Sequence, residues 1–173
     1  MTDKSYKMSA INKGIRDRKK NNDIFITPLP LAKKAIDMIE YTETDIWYDP
    51  FKNTGSYYNQ FPTENKVWSE ILENRDFFEF NAQVDIICSN PPYSILDPVI
   101  KKTIELNPRV INYLIGVNNL TTRRIEILEK AGYGLTKMTM CKVYSWFGMS
   151  YIIQFEKNRP SIIDIDRVVY YND

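Results

Sequence analysis

A short polar motif in the middle of the chain combines residue types that could hold a flat group carrying an amino substituent. It is NPPY, residues 90–93, which directly follows the apolar segment DIICS. A residue before proline is pushed out of helical conformation, so Asn90 is predicted to leave this segment in a stiff extended turn. Asn90 offers a carbonyl acceptor, and Pro91 and Pro92 offer carbonyls without N–H donors of their own. Tyr93 adds an aromatic face, so the motif suits a planar group bearing an NH₂.

The same motif suits one reaction of such a group. The amino nitrogen of adenine or of a carboxamide is a poor nucleophile because its lone pair is delocalised. Oxygen acceptors that take both of its hydrogens favour the pyramidal geometry in which the lone pair becomes available, and a stacked aromatic ring holds the group within attack distance. This chemistry needs no charged base, and the sequence contains no histidine. The alternative is purely structural: a proline-rich strand-to-helix turn with Asn90 as a cap.

Strand and helix patterns alternate on both sides of the motif. Apolar residues at helical spacing predict a helix over 27–40, with Thr27 as its cap and Pro28 in its first turn. The other predicted elements are strands at 46–51, 66–71, 84–90 and 110–117, helices at 95–106 and 121–132, and strands at 135–147 and 150–157. This order predicts an α/β fold with a mostly parallel open sheet that ends in an antiparallel hairpin.

Three polar side chains fall at the carboxyl ends of predicted parallel strands. They are Asp49, Glu70 and Asn90. Ligands of open α/β sheets bind beyond the carboxyl ends of the strands, so we expect these three to line one crevice. The chain has 173 residues, of which 43% are hydrophobic, and this is enough for one core. We therefore predict a single domain over 23–173.

NPPY after an apolar strand resembles the catalytic motif of amino-group methyltransferases that use S-adenosylmethionine (AdoMet), above all the N6-adenine DNA methyltransferases. The resemblance covers residues 25–157 and implies a Rossmann-like methyltransferase fold in which residues 90–93 are catalytic. The segment FITPLPLAKKAIDMI, residues 25–39, is similar to the TP motif and first helix of that family. This similarity implies that Thr27 and Pro28 border the methionine carboxylate of the cofactor.

Two further segments are similar to the cofactor-binding motifs of the same family. YDPFKNTGS, residues 48–56, looks like a shortened AdoMet loop that begins at Asp49 and Pro50. The similarity implies that Asp49 faces the methionine amino group and that Gly55 permits close backbone approach. Glu70 matches the acidic residue that holds the ribose hydroxyls. The loop has one glycine where the family usually has at least two.

A third segment is similar to the part of the family that contacts the cofactor's adenine. In RDFFEF, residues 75–80, the resemblance implies that Asp76 meets the adenine amino group and that Phe77 packs on its ring. The alternative for the phenylalanines is a place in the core. About a dozen residues separate the second predicted strand from the NPPY strand. Relative to the family this removes a helix and an edge strand, which predicts a reduced sheet of about six strands.

Positive charge is concentrated at the N-terminus, although the whole chain has a net charge of only +1. Residues 1–22 hold seven basic and two acidic side chains. Such an arm, with Lys19 and Lys20 in it, can contact phosphates, as can Arg123 and Arg124 after a predicted strand end. The alternatives are a solvated arm and a solvated helix start. We expect DNA as the partner, and a basic arm does not distinguish DNA from RNA.

The remaining sequence features bear on location and on the target pocket. No apolar run predicts a membrane span or a signal peptide, so we expect an intracellular, cytoplasmic protein. Cys88 and Cys141 have no metal-ligand spacing, which predicts reduced, structural thiols and no metal site. Trp146 and Phe147 could wall the pocket for the target base or belong to a hairpin core.

Other functions remain open at this point. The same motif occurs in methyltransferases of RNA adenine and of a glutamine amide in release factors, although the glutamine enzymes typically have an additional N-terminal helical domain, for which residues 1–26 are too short. A non-catalytic subunit that binds nucleic acid is the alternative of another class, and binding of AdoMet separates it from the enzymes. A separate target-recognition domain does not fit in the chain. Specificity would then come from the arm, from short loops, from a second copy of the chain in a homodimer or from another subunit.

Overall fold

The computed structural model describes residues 25–143 and 148–165. In this part of the chain three helices and six strands alternate much as predicted. The helices are α1 (Leu29–Asp37), α2 (Leu96–Leu106) and α3 (Thr122–Lys130). The strands are β1 (Trp47–Asp49), β2 (Lys66–Trp68), β3 (Ile86–Ser89), β4 (Val110–Gly116), β5 (Tyr133–Lys142) and β6 (Met149–Lys157).

The six strands form one sheet in the order β2-β1-β3-β4-β6-β5. Strands β2, β1, β3 and β4 are parallel, and β6 pairs antiparallel with both β4 and β5. The predicted mostly parallel sheet with a C-terminal antiparallel pair is therefore confirmed. All four residues of β3 are buried, as expected for a central parallel strand with both faces covered.

Apolar side chains cover the two faces of the sheet unequally. On one face the residues of α2 and α3 pack against β3, β4 and the C-terminal pair, with Ile87, Ile111 and Phe155 in the middle. On the other face α1 is the main cover, and Ala32 and Ala35 are fully buried there. Small alanine side chains let the backbone of α1 lie close to the sheet. The apolar spacing seen in the sequence corresponds to the face of α1 that is buried there.

The segment between β2 and β3 is short and holds only two 3-10 turns, Ile71–Glu73 and Phe77–Glu79. No further helix or strand intervenes between these described residues, in agreement with the predicted reduced sheet. The turns end where Asn74 adopts a left-handed conformation and where Phe80 becomes extended. Because the chain passes from β2 to β3 without forming another strand, β2 is the edge strand of the described sheet.

Several predicted boundaries differ from the structure. Helix α1 begins at Leu29, its N-cap residue is Pro28, and no side chain caps it, so the prediction that Thr27 is the cap is wrong. Proline at the N-cap and again at Pro30 leaves fewer N–H donors to satisfy, so no cap is needed. Strands β1 and β2 are three residues each, shorter than predicted, because the residues after them turn towards the candidate site. The basic arm, with Lys19 and Lys20, and the pair Trp146 and Phe147 lie outside the described residues.

Candidate active site

A cleft opens at the carboxyl ends of β1, β2 and β3, where the sequence pattern predicts a crevice. Six of the residues predicted for the site line it: Thr27, Glu70, Asn90, Pro91, Pro92 and Tyr93. The other lining residues come from the segment before α1 and from the loops after β1 and β2: Phe25, Ile26, Phe51, Lys52, Asn53, Thr54, Ser56, Tyr57 and Leu72. The fold therefore brings the TP segment, Glu70 and the NPPY turn together around one cleft.

Asn90 begins the turn that follows β3, and its two side-chain ends have different surroundings. Its Nδ2 donates a hydrogen bond to Thr27 Oγ1 at 3.2 Å. Its Oδ1 is buried and has no hydrogen-bond partner among the described residues. A buried carbonyl oxygen without a donor costs free energy, about 1–3 kcal/mol in typical proteins. An amino group that enters the cleft would supply the missing donor.

Pro92 and Tyr93 fix the rest of the turn. Pro92 is extended, its carbonyl accepts from Ile95 N at 3.3 Å, and the chain enters α2 through a 3-10 turn. The Tyr93 hydroxyl donates to the Leu114 carbonyl of β4 at 3.4 Å, and burial raises the pKa of Tyr93 to about 12. Gly116 lies beside the ring, because a β-carbon there would be 3.5 Å from Tyr93 Cε2. The aromatic ring is thus anchored in the sheet while it lines the cleft.

Glu70 is a buried carboxylate that lines the cleft near the end of β2, which β1 separates from the strand of Asn90. It is 7% exposed and follows β2. Its Oε1 accepts from Leu72 N at 3.0 Å and its Oε2 accepts from Asn53 N at 2.9 Å. A carboxylate has about four acceptor positions, so these two bonds leave capacity for hydroxyl donors from a ligand. Glu70 also ties the loop after β1 to the turn after β2.

Asp49, the last residue of β1, is fully buried beneath the cleft and does not line it. Its Oδ1 accepts from Ser89 Oγ at 2.6 Å and from Phe51 N at 3.3 Å, and its Oδ2 accepts from Tyr58 N at 3.2 Å. Burial raises the pKa of Asp49 to about 7, against the lowering effect of these hydrogen bonds. Asp49 therefore organises the loop after β1 and connects it to β3.

Gly55 has the conformation that its place in the loop requires. Its φ is +89°, and an added β-carbon would lie 2.5 Å from Asn59 Nδ2. Only glycine adopts this backbone without strain. Gly55 N donates to Lys52 O at 2.7 Å, which closes the turn that carries Asn53 and Thr54 into the cleft wall. Gly55 shapes the loop, and its own atoms are not part of the cleft lining.

Asp76 and Phe77 lie around a small neighbouring cavity, together with Pro50. Phe51 lines both this cavity and the main cleft. Phe77 is 3% exposed and packs on Phe51 with ring centroids 5.1 Å apart. Asp76 caps the following turn through a 2.9 Å bond from Phe78 N to its Oδ1. The three predicted residues are thus close together, beside the cleft and not in its wall.

The two arginines predicted to contact phosphate, Arg123 and Arg124, differ in their surroundings. Arg124 is part of an intramolecular network: its Nε donates to Asp97 Oδ1 at 2.6 Å and its Nη1 donates to Asn119 O at 2.8 Å. Arg123 is exposed at the start of α3.

Pro28 is partly exposed at the start of α1, and it does not line the cleft.

Sequence reasoning missed several residues of the cleft wall. Lys52, Asn53 and Thr54 lie in the loop in which the sequence pattern pointed only to Gly55. Their position directly after a strand-ending aspartate was the available signal. Ser89 was also missed, although it precedes Asn90, because its role depends on a side chain forty positions earlier in the chain.

The described residues also limit other kinds of site. They contain no group of three or more His, Cys, Asp or Glu side chains that could hold a metal ion. Within the same residues no helix is both long and apolar enough to cross a membrane. Cys88 is buried and Cys141 is partly buried, and both are free thiols.

Comparison with known proteins finds a likeness of structure. No family model and no curated protein matches the sequence. Magnesium protoporphyrin IX methyltransferase (ChlM) from Synechocystis PCC 6803, solved with bound SAM, superposes with a TM-score of 0.59 at 12% identity, over 75% of this chain and 77% of that one. A chain of the E. cuniculi Mtq2–Trm112 complex, responsible for methylation of the translation termination factor eRF1, gives 0.59 at 18% identity, over 78% and 99%.

A modification subunit of a putative type I restriction enzyme from Vibrio vulnificus YJ016 also matches, with a TM-score of 0.56 at 14% identity, over 89% of this chain and 49% of that one. Identities this low establish the shared fold alone. The chain therefore has the Rossmann-like fold of AdoMet-dependent methyltransferases, with its cleft at the carboxyl ends of the parallel strands.

Proposed function

We propose that this protein is an AdoMet-dependent methyltransferase that transfers a methyl group to the exocyclic N6 amino group of adenine in DNA. The observation that carries the proposal is the buried, unpartnered Oδ1 of Asn90 in a cleft that also contains Glu70. The fold shared with methyltransferases supports the reaction class. The choice of adenine in DNA as the methyl acceptor is more specific than the reaction class and has its own support.

The residues of the cleft fit AdoMet by the chemistry of their donor and acceptor groups. Glu70 offers carboxylate acceptors for the ribose hydroxyls, and Thr27, bonded to Asn90, lines the same cleft. Asp76 and Phe77, reached through Phe51, offer an acceptor and an apolar surface for the adenine of the cofactor. When bound, AdoMet supplies a methyl group on a positively charged sulfur.

The NPPY residues act on the acceptor. Asn90 Oδ1 accepts a hydrogen bond from the amino group to be methylated, and a neighbouring proline carbonyl accepts the second hydrogen. The nitrogen then becomes pyramidal, and its lone pair is available for attack instead of being delocalised into the ring. Tyr93, anchored to Leu114, orients the flat base by stacking. Transfer would break the bond between the sulfur and the methyl carbon, leave S-adenosylhomocysteine and place the methyl group on the nitrogen, which would then release one proton to water. No charged base in the cleft is needed for the attack.

Support for DNA comes from two directions. One matching structure is a modification subunit of a putative restriction enzyme. The basic residues of the 1–22 arm join the chain next to Phe25 and Ile26, which line the cleft. A base in a duplex must be flipped out to reach such a cleft, which costs a few kcal/mol that phosphate contacts and stacking can offset.

The test is transfer of labelled methyl from AdoMet to unmethylated duplex DNA, single-stranded DNA and RNA in parallel. Asn90→Ala is the key variant, and Asn118→Ala, at an exposed position after β4, is its matched control. We expect label on adenine N6 in DNA with wild type and Asn118→Ala, and at least a hundredfold lower rate with Asn90→Ala while AdoMet still binds. Full turnover by Asn90→Ala would remove the catalytic assignment.

The arm is tested in the same assay. Deletion of residues 1–22 should lower polynucleotide affinity and flatten its dependence on salt, because the salt slope falls by about one unit for every phosphate that the protein no longer neutralises. AdoMet affinity should not change. Binding that is unaffected by the deletion would mean that the arm does not touch the substrate.

A second candidate is methylation of an amide in a protein, and one comparison favours it. The matched chain of the Mtq2–Trm112 complex is covered over 99% of its length, so a chain in a complex that methylates eRF1 can have little beyond this fold. An additional helical domain is therefore not required of every chain in such a complex, which weakens the objection raised from the sequence. Label transferred to a glutamine of a release factor, and to no nucleic acid, would select this candidate.

A further inference from the structure

The hydroxyl of Thr27 contacts the catalytic asparagine across 63 positions of sequence. Thr27 Oγ1 accepts a 3.2 Å hydrogen bond from Asn90 Nδ2. Thr27 is 4% exposed, and both residues line the same cleft. The contact is the point where the segment before α1 meets the turn after β3.

The Thr27 hydroxyl does not cap helix α1. The N-cap residue is Pro28, and the N-terminus of the helix has no side-chain cap. The N–H groups of Leu31 and Ala32 are bonded to the Pro28 carbonyl. A threonine just before a helix would ordinarily use its oxygen as a cap. Here the oxygen faces Asn90 instead.

The two ends of an asparagine amide have opposite hydrogen-bonding character, so its orientation decides its chemistry. If Nδ2 faced the acceptor, the amide would present donors to an amino group that needs acceptors. With Nδ2 bonded to Thr27, Oδ1 is the end left without a partner among the described residues. The Thr27 contact and the free Oδ1 are therefore two consequences of one orientation.

We propose that Thr27 is a positioning residue that holds the Asn90 amide with Oδ1 available to the amino group being methylated. This inference rests on the proposed function and adds a role for the TP segment that is separate from cofactor contact. Thr27 acts through Asn90 and touches no reacting atom itself. A threonine that merely filled space would tolerate valine, which has nearly the same shape without the hydroxyl.

The experiment compares Thr27→Val, which removes the hydroxyl, with Thr27→Ser, which keeps it. Thr63→Val is the control, because Thr63 is 7% exposed and its hydroxyl has no partner among the described residues. Two readouts are needed. The first is the side-chain NH₂ signal pair of Asn90 in isotope-labelled protein without ligand, assigned by its disappearance in Asn90→Ala. The second is kcat at saturating AdoMet together with the Kd of AdoMet.

We expect Thr27→Val to shift the Asn90 signal pair and speed its exchange with water, and to lower kcat by about tenfold, the scale of one hydrogen bond. The Kd of AdoMet should change less than threefold. Thr27→Ser should restore both the signals and kcat, and Thr63→Val should alter neither.

An Asn90 signal pair that is unchanged in Thr27→Val would overturn the inference, whatever the activity. So would a raised Kd with unchanged kcat, which would make Thr27 a cofactor contact only. If wild type transferred methyl to none of the acceptors, the proposed function would fail instead, and the unliganded signals would still decide whether Thr27 orients Asn90.

Discussion

Ser89 donates a 2.6 Å hydrogen bond to Asp49, and this bond joins the end of β3 to the end of β1. Both side chains are completely buried. Ser89 precedes Asn90, and Asp49 also holds the amides of Phe51 and Tyr58 in the loop after β1. One buried carboxylate thus connects the loop after β1 with the NPPY turn.

Removal of the Ser89 hydroxyl should therefore affect both sides. Ser89→Ala leaves the buried Asp49 with one donor fewer, which should lower the free energy of unfolding by about 1–3 kcal/mol. The Kd of AdoMet should rise as well, because the loop loses its link to β3. Urea unfolding and calorimetry measure the two effects, with the exposed Ser94→Ala as control. Equal values for Ser89→Ala and wild type would show that the bond connects nothing of importance.

The titration of Asp49 should be visible in the stability of the protein. Its ordinary pKa is 3.8, and burial raises it to about 7 in the fold. Between these values the folded protein keeps a proton that the unfolded chain has lost, so stability from this group falls as pH rises through the window. The nearby charge of Glu70 also raises the pKa of Asp49. Burial raises the pKa values of Cys88 and Tyr57 as well, so these two neighbours stay neutral.

Asp49→Asn removes this titration and keeps one acceptor oxygen. The difference in unfolding free energy, wild type minus variant, should decline as pH rises through that window and should be level above it. Unfolding titrations at a series of pH values measure it. A difference that is independent of pH would mean that Asp49 does not titrate in this range.

Glu70 should be required for the cofactor more than for the fold. Glu70→Gln removes the charge that two ribose hydroxyls would contact. Its single amide oxygen can accept from only one of Leu72 N and Asn53 N, so a smaller loss of stability is expected beside the loss of affinity. We expect AdoMet affinity to fall at least tenfold, the loss of about one charged hydrogen bond. Calorimetry gives the Kd, and thermal unfolding checks the fold. Glu79→Gln, exposed in the next turn, is the control and should bind like wild type. Unchanged affinity in Glu70→Gln would place the ribose elsewhere.

Gly55 and Gly148 form a matched pair for backbone strain. Gly55 has φ +89°, where a side chain is strained, and its added β-carbon would also displace the Asn59 amide 2.5 Å away, whereas nothing lies within 4 Å of a β-carbon at Gly148. Gly55→Ala should lower the free energy of unfolding by more than about 1 kcal/mol. Gly148→Ala should be neutral or slightly stabilising. Urea unfolding of both variants decides, and equal stability would show that the loop can rearrange.

The sequence predicted well those features that depend on neighbouring residues. The apolar run before Asn90 indicated a buried central strand, and the prolines indicated the turn after it; both are present. The short segment between β2 and β3 indicated a reduced sheet, because too few residues were available for another helix and strand. Glu70 and Asn90 were expected in one crevice because parallel strands end at the same edge, and both line the cleft.

Only the tertiary structure decided what each side chain of the site contacts. Thr27 looked like a helix cap from its place before Pro28, and the fold gave its hydroxyl to Asn90 instead. Asp49 ends a strand as Glu70 nearly does, yet it is buried beneath the cleft by Ser89 and the loop amides. Local sequence sets backbone conformation through steric and hydrogen-bonding preferences of adjacent residues. Contacts between positions forty or sixty apart depend on how the sheet brings β1, β3 and the start of α1 together, and no local pattern contains that information.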